Sequence, residues 1–334
     1  MKKAFYFVIL LLVSTLLWQC VQEKKEALTA DMRQELVLLS NLEHQEKPFA
    51  GFAYMNFSKI RQSPFYEMIV DSLRTRMHKN KDFEEFAEAS GFDLREDVDQ
   101  VYVAFDTPQK RHEENMLIVA IGNYNVDKIE HYIAEEDREH KLVKEKYNEF
   151  TIYRIEDKDN VFCMANQNYA VGGKVNLVKS WLNNFKAGSE SVSIEPELLA
   201  RIEQIQYKSG AWVVMNAGAM VSQFMDQYSE DSRANRFSAL RSIKNVHLSM
   251  NVDEKFRVSG IGQFTDEEKA GLFRDAIKGA LATLKLSMSD DREAVDVVNK
   301  VNITKKDSDV RVQFEMTKTD VEKLIQRQRK FARR

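Results

Sequence analysis

Length, composition and charge describe a folded, mildly acidic protein. The chain has 334 residues, of which 43% are hydrophobic and 30% charged, and its formal net charge is −3. This composition excludes an intrinsically disordered chain, and four prolines and 12 glycines exclude a collagen-like or Pro-rich stalk. The slight negative charge provides no general attraction to nucleic acid, so we expect no nucleic-acid partner.

The first 19 residues have the anatomy of an export signal. Lys2 and Lys3 give a positive start, an apolar run follows over residues 5–18, and Cys20 comes two positions later. This run of 14 residues is too short for a transmembrane helix, which needs roughly 20. A charged start followed by a short apolar run is typical of a cleaved secretory signal. We therefore predict a signal peptide over residues 1–19.

The residues that end this signal carry a resemblance. Leu17-Trp18-Gln19-Cys20 resembles the end of a bacterial lipoprotein precursor signal, whose cysteine is acylated with fatty acids such as palmitate and becomes the mature N-terminus. Leu17 fits the family pattern, whereas Trp18 and Gln19 stand where that pattern prefers small residues. The resemblance implies that Cys20 is a lipidation site, and several acyl chains would hold the protein stably on a membrane. The alternatives are an ordinary signal peptide or an uncleaved anchor, with Cys20 incidental.

The same resemblance implies an address in the cell envelope. Val21 follows the cysteine, where the better-known lipoproteins retained on the inner membrane carry Asp. The implied location is the outer membrane, at its periplasmic face or at the cell surface. With Cys20 lipidated, Cys163 is the one cysteine left in the sequence, so we expect no intramolecular disulfide.

A polar segment follows the anchor at residues 20–47. Its apolar residues are spaced by four, four, three and three, which favours one stripe of an amphipathic helix: Leu28, Met32, Leu36, Leu39 and Leu42. We predict a tether helix, either a free spacer or packed on the first half of the body.

The rest of the chain is predicted to form two similar halves, residues 48–187 and 188–334. In the first half we predict strands at 49–57, 101–105, 116–124, 142–146, 150–155, 161–165 and 169–172, and helices at 63–77, 82–89, 126–133 and 175–185. In the second we predict strands at 211–216, 243–252, 256–264, 298–304 and 310–316, and helices at 196–205, 217–228, 265–286 and 318–329. Residues 211–216 (AWVVMN) echo residues 53–56 (AYMN).

This order of elements predicts the fold class. Each half reads as strand, helix, hairpin, helix, hairpin, helix, which favours an α+β protein of two similar halves, each an antiparallel sheet with helices packed on one face. The alternative is that such echoes arise in any α+β chain of this length. The layout also resembles exported bacterial proteins known only as domains of unknown function, which implies no catalytic residues.

The densest group of metal-ligand residue types lies between His131 and His140. Glu135, Glu136, Asp137 and Glu139 stand between the two histidines, and imidazole with carboxylate can hold a divalent metal. Because the run lies at the end of a predicted helix, a solvated charged segment is the favoured interpretation. We expect no metal and no cofactor.

Three further features invite a functional interpretation, and each has a structural one that we favour. Gly172-Gly173-Lys174 precedes a helix but lacks P-loop spacing, so we expect a turn that needs positive φ. Residues 156–160 alternate acidic positions without the glycine and closing glutamate of a calcium loop, so we expect a hairpin turn. Cys163 lies in an apolar strand, so we expect a buried side chain and not a nucleophile.

The functional prediction is a non-catalytic binding or scaffold module held on the envelope by a lipid anchor. The C-terminal cations partly suit a helix end and could also touch an acidic partner: Lys323, Arg327, Arg329, Lys330, Arg333 and Arg334. Possible partners are the membrane, an envelope protein or a lipid. The alternatives are a carrier of a lipid or hydrophobic ligand, and an envelope hydrolase without a recognisable motif. No catalytic residue is predicted, and the protein is not expected to be an enzyme.

Overall fold

The computed structural model describes residues 29–40, 42, 49–69, 81–106, 115–140, 142–155, 159–188, 196–203, 209–218, 221 and 241–323. The helices are α1 (Ala30–Ser40), α2 (Phe57–Arg61), α3 (Lys81–Ser90), α4 (Leu94–Asp97), α5 (Val126–His140), α6 (Val175–Ala187), α7 (Pro196–Ile202), α8 (Glu267–Ser287) and α9 (Arg292–Asn299). The strands are β1 (Gly51–Asn56), β2 (Val98–Phe105), β3 (Met116–Gly122), β4 (Leu142–Tyr147), β5 (Phe150–Ile155), β6 (Asn160–Met164), β7 (Tyr169–Lys174), β8 (Ala211–Asn216), β9 (Ile243–Asn251), β10 (Phe256–Phe264), β11 (Val301–Lys306) and β12 (Asp309–Met316).

These strands form one antiparallel sheet. Their order is β11-β12-β10-β9-β8-β1-β2-β3-β7-β6-β5-β4. The centre is the pair β1 and β8, in which Gly51 lies opposite Met215 and Met55 opposite Ala211. The expected α+β class with an antiparallel sheet is confirmed, and the sheets of the two halves are joined into a single layer by the β1–β8 hydrogen bonds.

The strand order is similar on the two sides of the β1–β8 pair. Outward from β1 the sheet continues with β2, β3, β7 and β6, and outward from β8 it continues with β9, β10, β12 and β11. The first half adds the hairpin β4–β5 at its outer edge. This succession is what a duplicated unit would produce, while the boundaries at residues 187 and 188 stay a prediction.

Helices cover both faces of the first half, where one covered face was expected. On one face, here called the α1 face, α1 and α6 pack over Tyr54, Tyr102 and Val119. On the other face, here called the α5 face, α3 and α5 pack over Met55, Val101 and Ala120. Each of these strand residues is adjacent in sequence to one of the three residues on the α1 face. Successive residues of a strand point to opposite faces. Because these strands are apolar at successive positions, helices must cover both faces of the sheet. A strand that alternates apolar and polar residues would need cover on one face only.

The second half is covered by α8, which lies on the α5 face. Its residues Phe273 and Ile277 pack with Ile243, Val246 and Val310 of the sheet. The helix begins where Asp266 accepts a hydrogen bond from the Lys269 amide at 2.8 Å, and Glu267 and Glu268 occupy its positive end. The opposite face of this half carries polar residues, among them the ion pair of Arg257 and Glu315.

Some predicted elements have different bounds. The predicted helix 126–133 continues to His140 as α5. The added residues include Glu and Arg, which have high helix propensity although they are charged. Helix α9 was not predicted; Asp291 caps it by accepting from the Ala294 amide at 3.1 Å. The segment 70–80, most of 217–228 and residues 324–334 lie outside the described residues. None of the described helices is long and apolar enough to cross a membrane.

Candidate functional site

The first described segment of the chain, which follows the predicted anchor, packs into the core of the protein. Cys20 itself lies outside the described residues, which begin at Thr29. Helix α1 then packs on the sheet, with Leu36 and Leu39 fully buried and Met32 nearly so, and Leu42, just beyond the helix, is also nearly buried. The tether helix was predicted to be either a free spacer or packed on the first half of the body. Its described part is packed on the first half. Burial of large aliphatic side chains at about 1.5–3 kcal/mol each makes α1 an integral element of the fold.

A buried carboxyl group stands in the interface between α1 and the sheet. Glu35 is 5% exposed, and its Oε1 accepts a hydrogen bond from the hydroxyl of Tyr169 on β7 at 2.8 Å. Its Oε2 is buried and has no hydrogen-bond partner. Burial raises the pKa of Glu35 from 4.5 to about 7, the Tyr169 hydrogen bond opposes that rise, and Asp31 adds to it. Charging Glu35 in place is thus unfavourable.

Amide side chains hydrogen-bond two of the tyrosine hydroxyls beneath α1. The hydroxyl of Tyr102 donates to Gln100 Oε1 at 3.0 Å, and that of Tyr54 donates to the same oxygen at 3.3 Å. Asn56 Nδ2 in turn donates to the Tyr54 hydroxyl at 2.9 Å. The rings of Tyr54 and Trp212 lie 5.6 Å apart, so this aromatic group bridges the β1–β8 seam.

A second feature is an open cleft of about 590 Å³ on the first half. It lies between the C-terminus of α3, helix α4, the first turn of α5 and the turn before β7. Its lining is mostly polar and consists of Ser90, Gly91, Phe92, Asp97, Asn123, Tyr124, Asn125, Val126, Asp127, Lys128, Ile129 and Gln167. A volume of this size is in the range of small-ligand sites, although such sites are usually more apolar.

Backbone contacts fix the floor of this cleft. The amide of Asn123 donates to the Asp97 carbonyl at 2.9 Å, and the amide of Tyr124 donates to the Gln167 carbonyl at 2.8 Å. Gly122 lies so close to Asp97 that a Cβ there would overlap the Asp97 carbonyl oxygen. The ring of Tyr124 stacks on Phe92 with centroids 6.4 Å apart. The cleft therefore has a rigid base of paired backbone and packed rings.

The rim carries polar side chains that are exposed to solvent. Asn123, Asp127, Lys128 and Gln167 are exposed, which leaves amide, carboxylate and ammonium groups able to contact a ligand. The serine that lines the cleft, Ser90, is hydrogen-bonded to the backbone. Its hydroxyl donates to the Phe86 carbonyl at 2.6 Å and accepts from the Phe92 amide at 3.2 Å. This arrangement suits recognition of a polar group and provides no serine–base pair for nucleophilic catalysis.

The residues considered as metal ligands are only partly described. His131 is exposed on α5, while the side chains of Glu135, Glu136, Asp137, Glu139 and His140 fall outside what the structure describes. Among the residues whose side chains are described, no group of three or more His, Cys, Asp or Glu could hold a metal ion. The interpretation of the run as a solvated charged segment therefore stays a prediction.

The glycine pair before α6 has a structural role at one of its two positions. Gly173 has φ +150°, and a Cβ there would overlap the Met116 carbonyl oxygen of β3. Gly172 is under no such constraint, because a Cβ would meet the Val161 oxygen at an ordinary 3.6 Å. Both glycines lie in β7 rather than in a turn. The expectation of positive φ therefore applies to Gly173 and is wrong for Gly172.

Cys163 and the acidic segment 156–160 are the other two features noted in the sequence. Cys163 is fully buried on β6, and burial raises the pKa of its thiol to about 12, which is the inert state that was expected. Of the acidic turn, residues 156–158 lie outside the described part, Asp159 is exposed, and Asn160 begins β6. The Asp159 carbonyl accepts a hydrogen bond from the Val175 amide at 3.0 Å, so it anchors the start of α6.

Two buried titratable residues were missed in the sequence. Glu35 lies three positions after Met32 and four before Leu39, so its helical phase placed it beside the apolar stripe. His247 is 1% exposed on β9, and neither ring nitrogen has a hydrogen-bond partner. Burial, and then the charge of Arg201, lowers the pKa of His247 to about 4, which keeps the ring neutral. Nothing in the local pattern of β9 marked this histidine as buried.

Known proteins provide two distant structural neighbours of this chain and no sequence relative. No family model matches the chain, and no curated protein sequence matches it. Two solved structures are similar, crystal forms III and I of TP0453, with TM-scores of 0.47 and 0.44 and identities of 9% and 10%. Each aligns with 86% of this chain and with 96% or 95% of the other. Likeness at this distance indicates nothing about the function of this chain.

Proposed function

We propose that this chain is a lipid-anchored protein of the cell envelope that binds a partner or ligand and does not catalyse a reaction. The observation that carries the proposal is the position of α1. Cys20 precedes the first described residue by nine positions, which span at most about 30 Å. Because α1 is part of the core, an acyl anchor at Cys20 would hold the whole body close to a membrane face.

The cleft supports a binding role over a catalytic one. Its exposed rim offers hydrogen-bonding groups, and its base is fixed by Gly122, Asn123 and Tyr124. The hydrolase alternative needs convergent reactive groups, and Ser90 is occupied by the end of α3. The lipid-carrier alternative needs an apolar cavity, for which this polar cleft is unsuitable. The partner of such a module would be a polar ligand or a protein surface in the envelope.

Replacing Cys20 by alanine tests the anchor. We expect the native protein to have lost residues 1–19, to carry acyl mass on Cys20 and to partition with the outer membrane. The Cys20→Ala variant should be unacylated and leave the membrane fraction. Intact mass spectrometry and membrane fractionation measure both properties, with Cys163→Ala as the matched control. A soluble, unacylated native protein cut at another residue would contradict the anchor.

Site-specific photo-cross-linking in cells tests the cleft. With the photo-cross-linker p-benzoylphenylalanine in place of Gln167 at the rim, we expect a covalent adduct of defined mass on the membrane-bound protein. The control places it at exposed Asn302 on the edge strand β11 of the other half, where no adduct is expected. The substitution Asn123→Ala should weaken the Gln167 adduct. An equal yield at both positions, or none at Gln167, would contradict binding at the cleft.

A further inference from the structure

We propose that Glu35 is a proton-controlled latch that sets the length of the membrane tether. In the protonated state it holds α1 on the sheet, and in the ionised state it favours release of α1. The consequence for distance from the membrane rests on the proposed anchor at Cys20. The latch itself is a property of the fold, and it can be tested separately from the anchor.

The geometry of Glu35 favours its neutral form. The carboxyl group lies within the α1–sheet interface, where Tyr169 donates one hydrogen bond to Oε1 and Oε2 has no partner. A buried carboxylate with one hydrogen bond is poorly compensated for the water that it has lost. A protonated carboxyl avoids the cost of a buried charge, which is much larger than the cost of a buried neutral polar group.

The elements around Glu35 bring no free cation to it. On its own helix the nearby charge is Asp31, which is acidic. The sheet contributes phenols, those of Tyr169 and Tyr102, and the Tyr102 hydroxyl is committed to Gln100. Helix α6 contributes Trp181, whose ring packs 6.2 Å from that of Tyr169, and its Lys179 is paired with Glu145 at 2.7 Å. Within the described residues, burial thus acts on Glu35 without an opposing positive charge.

The direction of the pH effect follows from linkage. With α1 released, Glu35 is solvated and titrates near 4.5, whereas docked it titrates at about 7. Docking is therefore strongest below pH 4.5 and weakens as pH rises from 4.5 to 7, where the released state binds fewer protons. The equilibrium constant for release rises by up to about 300-fold over that window and is constant above it.

Release of α1 would lengthen the tether more than threefold. With α1 docked, the connection runs from Cys20 to Thr29, nine residues that reach about 30 Å at most. With α1 released it would run to Phe49, 29 residues that reach about 100 Å. Acid would thus favour the docked state with the short tether, and neutral or alkaline surroundings would raise the population of the released state with the long tether.

Native-state hydrogen exchange of the full-length protein in detergent tests the latch. After correction for the intrinsic pH dependence of exchange, we expect protection of the α1 amides to fall by about 70-fold between pH 5 and pH 8. Peptides from β10 and β12 should change by less than about threefold, since they lie in the other half. Glu35→Gln, which cannot ionise, should remove the dependence and keep α1 protected at pH 8.

Two further variants separate titration of Glu35 from simple loss of packing. Asp31→Asn removes the exposed acid of the same helix and should keep the change with pH. Tyr169→Phe removes the hydrogen bond that opposes the rise in pKa, so the midpoint should move to higher pH. Equal α1 protection at pH 5 and pH 8 in the native protein, or an unchanged dependence in Glu35→Gln, would overturn the latch. Neither result depends on whether Cys20 is acylated.

Discussion

Replacing Gly122 by alanine is expected to destabilise the protein by about 3 kcal/mol or more. A Cβ at this position would overlap the Asp97 carbonyl oxygen and come within 3.1 Å of Val98 Cα. Neither group can turn aside as a flexible side chain could, because both belong to the backbone that links α4 to β2. The Asp97 carbonyl is also held by the Asn123 amide, and the Gly122 amide by the Asn168 carbonyl at 2.9 Å. The clash would therefore be relieved only by moving the floor of the cleft.

The matched control is the same substitution at Gly279. This glycine lies inside α8, where an added Cβ meets nothing within 4 Å. Alanine should stabilise the helix by roughly 0.5–1 kcal/mol, because glycine loses more backbone entropy on folding. Urea unfolding of the two variants measures both changes. Equal effects at the two positions would contradict the close approach of β3 and Asp97.

Replacing Leu36 by alanine is expected to cost about 2–5 kcal/mol of stability. Leu36 is fully buried on α1 and packs in the cluster that includes Trp181 and Trp212. Removing its branched end would leave a cavity between the helix and the sheet, because close-packed core side chains relax only partly around a deleted group. The loss should appear as a lower midpoint of unfolding in urea with an unchanged slope.

Leu286→Ala is the control for that experiment. Leu286 also lies in a helix, α8, but it is 76% exposed, so the same change should shift stability by no more than about 0.5 kcal/mol. The helix propensities of the exchanged residues are identical in the two variants, and the difference therefore isolates burial. A small effect at Leu36 would mean that α1 is not part of the core. It would also remove the support for a short tether and for the Glu35 latch.

Local pattern carried much of the secondary structure. The strand from 256 to 264 and the helix from 265 to 286 were predicted within one or two residues, because an apolar run ends at a capping Asp266 followed by Glu267 and Glu268. The buried state of Cys163 followed from its apolar neighbours for a similar reason. These features depend on residues close together in the chain, and short-range periodicity records them.

The cleft and the buried acid could not be predicted from local pattern. The cleft brings Gly91, Asn123 and Gln167 together, and their proximity depends on the pairing of β3 with β2 and β7. Glu35 stood beside the apolar stripe of its helix, but only packing against β7 and α6 decides whether such a position is covered. The burial of His247 depends likewise on what lies over β9.

The sequence by itself determined the antiparallel α+β class and the similar order of elements in the two halves, and it is the basis on which the export signal and the Cys20 anchor are proposed. Tertiary structure decided that the halves share one sheet through β1 and β8, that helices cover both faces of the first half, and that α1 is docked with Glu35 inside. The physical reason is the range of the interactions. Periodicity and capping act within a few residues, whereas β1 and β8 meet across some 160 residues of chain, and burial belongs to the assembled layers.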